Sequence, residues 1–146
     1  MKLSKKQINK LVGVDIGGKG GKDSILAEAL GHKRESSKFY DAVTESGEVV
    51  EYKKQQSSQF LDPYKFSLMT DEEKKIKILF FMHDGTFVKE VYQTDYKTLI
   101  KTMGYSAWDL KAIKKLYERE CFLNRPNTQI KAELKIDEIK TFKKIY

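Results

Sequence analysis

Two stretches of the chain alternate between apolar and polar residues with a period of two. Residues 38–45 read KFYDAVTE and residues 49–55 read VVEYKKQ, with Glu-Ser-Gly-Glu spanning the turn between them. Such alternation puts every second side chain on one face of a strand, so it predicts a half-buried hairpin. Residues 77–83, KILFFMH, form the most apolar segment, which predicts a central strand. Asp84-Gly85 predicts a tight turn, and 86–93, TFVKEVYQ, a returning strand.

Helical signals surround these strands. A short helix is predicted over 3–12. Asp23 is placed to cap SILAEAL, which Gly31 ends. Thr70 with Glu73, and Ser106 with Asp109, have capping-box spacing. The first pair predicts a short helix and the second a helix over 107–122. A further helix is predicted over 96–103. GGKGGK at 17–22 reads as a flexible break, 56–69 around Pro63 as irregular chain, 124–128 as a loop and 129–136 as a last strand. The order is helix, four strands, helices, strand. This pattern predicts an α+β fold, a mixed central sheet flanked by helices, as one domain over 1–146.

Charge adds a partner class. The 28 Lys and Arg against 21 Asp and Glu leave a formal charge of +7, and the pI of about 9.3 favours a polyanion. Cys121 is the single cysteine, which excludes a disulfide framework within the chain and suggests a reducing compartment. His32 and His83 are the only histidines, and no Cys/His cluster suggests zinc. No apolar run approaches the ~20 residues of a membrane span. MKLSKKQINK lacks a signal peptide's apolar stretch. The expected protein is soluble and cytoplasmic.

The first hairpin carries the chemistry. Glu51 and Lys53, two apart, share a strand face with Val49. Asp41, on the preceding strand, comes near Glu51 across the hairpin. Two close carboxylates repel unless a cation lies between them. Mg²⁺ suits them, being hard, oxygen-seeking and willing to keep waters that a phosphate can replace. Lys53 would then position or help deprotonate an attacking water, or stabilise developing negative charge. Together these groups outline a phosphodiester-hydrolysing site. Cross-strand Glu–Lys pairs are also ordinary decoration on exposed sheets. Phe39, Tyr40, Val43, Val49, Val50 and Tyr52 favour partial burial of the two carboxylates instead.

Asp41-Ala42-Val43, Gly47 and Glu51-x-Lys53 together resemble the PD-(D/E)xK nucleases, most closely the PvuII type of type II restriction endonuclease. Gly17-Gly18-Lys19, the 80–99 stretch, Asn124-Arg125-Pro126 and the terminal Lys144-Ile145-Tyr146 extend the likeness more weakly. The resemblance implies a restriction-endonuclease-like fold. It implies a homodimer that cuts double-stranded DNA at a palindrome using Mg²⁺, with Mn²⁺ as a substitute. It also implies a prokaryotic or phage-infected cell, and a cognate methyltransferase acting on the same site without being bound. Asp41 and Glu51 would ligate metal, and Lys53 would complete the catalytic set. The family's His-rich recognition stretch is replaced here by QQSSQFLDPYKF, and the second Asn of its Asn-Asn-Pro by Arg125. A different recognition sequence follows from these departures.

Further candidates stand beside this site. Glu28 is either a helix-borne acid at the metal or part of a solvated face, and Glu35 is a poorer alternative. GGKGGK departs from the Walker pattern at Asp23, which argues against nucleotide binding. Lys19 and Lys22 would touch DNA phosphates from that loop, or merely solvate a connector. Gln55, Gln56, Ser57 and Ser58 have side chains that can read base edges. Asn124 belongs to the same recognition set, and Arg125 would read guanine, hold a phosphate or pair with a carboxylate. Two rivals to a restriction enzyme remain: a homing, repair or phage nuclease of the same fold, and a non-catalytic basic DNA-binding protein.

Overall fold

A computed structural model describes residues 1–18, 20–122 and 132–146, without the side chains of 117 and 119–122. Six strands form the main sheet in the order β1-β2-β3-β5-β6-β8. They are β1 (Lys33–Arg34), β2 (Ala42–Val43), β3 (Val49–Gln55), β5 (Lys77–His83), β6 (Val88–Asp95) and β8 (Lys143–Lys144). β3 and β5 run parallel and the remaining pairs antiparallel, so the sheet is mixed. A small second sheet pairs β4 (Gln59–Leu61) with β7 (Ala132–Leu134).

Helices cover both faces of the main sheet. On one side, α1 (Lys5–Leu11) and α2 (Lys22–Leu30) bury Leu11, Leu26, Ala27 and Leu30 against Val50, Tyr52, Leu79, Phe81 and Val91. On the other lie α3 (Pro63–Ser67), α4 (Tyr96–Thr102), α5 (Ala107–Phe122) and α6 (Ile136–Ile139). Phe66, Leu99, Leu110 and Ile139 from these helices pack on Ile78, Phe80, Met82 and Tyr92. β5 explains its own continuous apolar run, because alternate residues feed the two opposite cores.

Several boundaries differ from the sequence pattern. The strand predicted over 38–45 shrinks to Ala42–Val43. Ser37 Oγ accepts from Phe39 N–H at 3.3 Å, and the Phe39 ring drops into the α3–α6 core. The segment predicted as irregular, 56–69, holds both β4 and α3. Asp62 caps α3 by accepting from Tyr64 N–H at 3.0 Å, and Pro63 opens it, a helix-start signature that the sequence carried. Gly21, in the left-handed region, stands at the N-cap of α2, with Asp23 inside the first turn. The strand predicted over 86–93 shifts to Val88–Asp95, and the one over 129–136 is described only as Ala132–Leu134. The unforeseen β8 lies on β6, with Ile145 N–H donating to Val91 O at 2.8 Å.

Candidate active site

The β2–β3 turn is closed by Thr44 N–H to Glu48 O at 2.9 Å and by Gly47 N–H to Thr44 O at 3.0 Å. Gly47 has φ +88°, a conformation that side chains resist. The turn sets the register: Ala42 opposes Val50, and Val43 opposes Val49. The paired register ends there, and Asp41 immediately precedes β2.

Each carboxylate is held differently. Asp41 N–H donates to Val50 O at 2.9 Å, and its Oδ2 accepts from Tyr52 N–H at 2.8 Å. Its Oδ1 lies 3.8 Å from Arg34 Nη1, which also donates to Asp41 O at 2.7 Å. Glu51 is only 8% exposed, so its charge needs partners. Among the described residues it has two, both on Oε1: Lys53 Nζ at 3.3 Å and Lys65 Nζ at 2.9 Å. Lys65 reaches the site from α3, inside the β3-to-β5 crossover that the sequence pattern left irregular. Lys65, Arg34 and Asp23 are the site residues that the sequence reading missed. For Lys65, Asp62-Pro63 was the available signal. Arg34 and Asp23 come from separate elements, and no local pattern joined them to Asp41.

The opposite face of β3 carries a second ionic group. Lys54 pairs with Asp23 on α2, and Asp23 Oδ2 lies 3.9 Å from Arg34 Nη1. Arg34 therefore connects the two groups. On the same face the Tyr52 hydroxyl lies 2.7 Å from His32 Nδ1. Burial, and secondarily the Asp41 charge, pushes the Tyr52 phenol well above its usual pKa. Burial lowers the pKa of His32, against smaller opposing effects of Glu45 and Glu48.

The remaining candidates separate. Glu28 lies on the exposed side of α2, and among the described residues nothing ties it to Asp41 or Glu51; α2 brings Asp23 instead. Glu35 offers its backbone, donating N–H to Asp41 O at 3.0 Å. Gln55 is a correction: it is 6% exposed, with Nε2 3.2 Å from Met82 Sδ, so it is not available to read a base. The strand's alternation turns it inward on the Glu51–Lys53 face. Gln56 and Ser57 are exposed and Ser58 half-buried after β3. Lys22 opens α2. Lys19, Asn124 and Arg125 lie outside the described residues.

The donor chemistry fits Mg²⁺. Asp41 Oδ1, 3.8 Å from Arg34 Nη1, and Glu51 Oε2, outside the lysine contacts, are hard oxygens, and Mg²⁺ is commonly held by one or two carboxylates plus waters and phosphate. Among the described residues, no three of His, Cys, Asp and Glu gather into a larger metal cage. No helix among them is long and apolar enough to cross a membrane. No protein-family model matches the chain, and no curated protein matches it.

Proposed function

We propose that this protein is a Mg²⁺-dependent endonuclease of double-stranded DNA. The observation that carries the reading is that Asp41, bonded to Val50 O and Tyr52 N–H, flanks Glu51 from outside β3, with Lys53 on the face of Glu51. The net charge of +7 supports a polyanionic substrate. The finer reading rests on the PD-(D/E)xK resemblance: a type II restriction-like homodimer whose two-fold symmetry matches a palindromic site.

Held by Asp41 and Glu51, Mg²⁺ would polarise a phosphoryl oxygen and acidify a bound water. Tyr52 N–H and Arg34 fix the orientation of Asp41. Lys53 and Lys65 neutralise Glu51 before substrate arrives. A phosphate entering between these lysines exchanges their carboxylate contacts for phosphoryl oxygens. Lys53 then stabilises charge developing in the transition state.

The test is incubation with large duplex DNA, in Mg²⁺ and in chelator, beside Lys53→Ala and Asp41→Ala. Discrete fragments requiring Mg²⁺, Asp41 and Lys53 are expected. A metal-dependent smear would keep the chemistry and move the role toward non-specific degradation. Full cleavage by either variant would sink the proposal. The paired lysines on Glu51 favour one rival, in which the cluster is structural and the protein only binds DNA. That rival expects salt-sensitive binding without strand breaks, unchanged by Asp41→Ala.

A further inference from the structure

A cavity of about 460 Å³ opens between the Gly-rich loop, the start of α2, β1, β3 and the β5–β6 turn. Four of its side chains are basic and come from four separate elements: Lys22, Arg34, Lys54 and His83. Asp23 is the sole carboxylate among the described lining residues, and it engages Arg34 and Lys54. Those contacts orient the two cations without exhausting them, because a guanidinium has five N–H donors and an ammonium three.

The loop backbone adds to this lining. Gly17 is docked on the β5–β6 turn, where a Cβ would stand 2.4 Å from Gly85 O. Gly18, Gly20 and Gly21 all have positive φ, and among the described residues none but their chain neighbours lies within 4 Å of where their Cβ atoms would be. Gly21 has no side chain to cap α2, and among the described residues no side chain caps that helix's first N–H groups. The described lining holds no Phe, Tyr or Trp, hence no platform for a nucleobase. It suits a phosphate and not a whole nucleotide.

We propose that this cavity binds a phosphate of the DNA strand flanking the phosphate that is cut. The assignment of DNA as the source rests on the nuclease reading. Arg34 supplies the link, because the guanidinium that lines the cavity also donates to Asp41 O. A strand held there has its backbone anchored beside the carboxylate pair before chemistry begins.

The experiment is fluorescence anisotropy of a labelled short duplex in chelator, across a salt series, so that cleavage plays no part. Lys22→Met and Lys54→Met are compared with Lys101→Met, which lies on α4 across the sheet. Lys22 has no ion pair among the described residues, so its replacement keeps the fold even if loss of the Lys54–Asp23 pair loosens it. Each cavity variant is expected to bind about threefold to tenfold more weakly and to lose about one unit of salt slope, with Lys101→Met unchanged. Wild-type affinity and slope in both cavity variants would overturn the site. Pyrophosphate is titrated in parallel. If it binds, with the same losses in the variants, while duplex does not, the phosphate site stands and the nuclease reading falls. If neither ligand binds, the site is overturned.

Discussion

On one face of β3, Val50 and Tyr52 are sealed against α1 and α2, and Lys54 pairs with Asp23 near the strand's end. On the other, Glu51 shares one carboxylate oxygen between Lys53 and Lys65 at the edge of the α3–α6 core. The strand is the same and the residue spacing is the same. What differs is the cover. The helices α1 and α2 seal the first face. Over the second, the crossover after β3 passes through the five-residue helix α3, whose Lys65 ends in the charge cluster. Tyr52 on the first face therefore serves the fold, whereas on the proposed reading Lys53 on the second serves the chemistry.

Substitutions can break that contrast. Tyr52→Ala should have the largest effect, a loss of about 3–5 kcal/mol of stability, as for other buried aromatics. A denaturant midpoint checks it. Lys53→Ala should leave the fold near wild type and lower the cleavage rate by about 10²–10³-fold, the usual result of deleting one stabiliser of transition-state charge. A matched melt and single-turnover assay would show both. If instead it melts the protein like Tyr52→Ala, the two faces do not differ as described.

Smaller changes sharpen the contrast. Lys65→Met removes one of two cations from Glu51, so the Mg²⁺ concentration for half-maximal cleavage should fall by about threefold or more, since neighbouring positive charge opposes a cation. A metal titration reads it, and a rise would show Lys65 helping to build the metal site. Tyr52→Phe should cost about 1 kcal/mol through the lost contact with His32, with cleavage unchanged. The pH effect has a definite sign. Burial holds the folded pKa of His32 below 6.5, so the unfolded chain binds the extra proton first. Stability should fall as pH drops through 6.5 toward the folded pKa. His32→Asn should flatten that part of a urea-midpoint profile against pH.

Much of this arrangement was legible locally. The alternation in 49–55, the apolar run of 77–83, the Gly47 turn and the capping pairs Thr70–Glu73 and Ser106–Asp109 all specify elements through neighbours a few residues apart. The Glu51–Lys53 pair belongs to this class, because residues two apart on one strand share a face. Tertiary structure alone decided the rest. β4 is a strand only because β7, more than seventy positions away, pairs with it, and β8 only because β6 offers an edge. Gln55 looked like an available base reader until Met82 and the strand's own pleat turned it inward. Lys65, Arg34 and Asp23 entered the site by the same route. Their positions depend on how a crossover, a short edge strand and a helix pack around β3, and local periodicity carries no information about packing between elements so far apart in the chain.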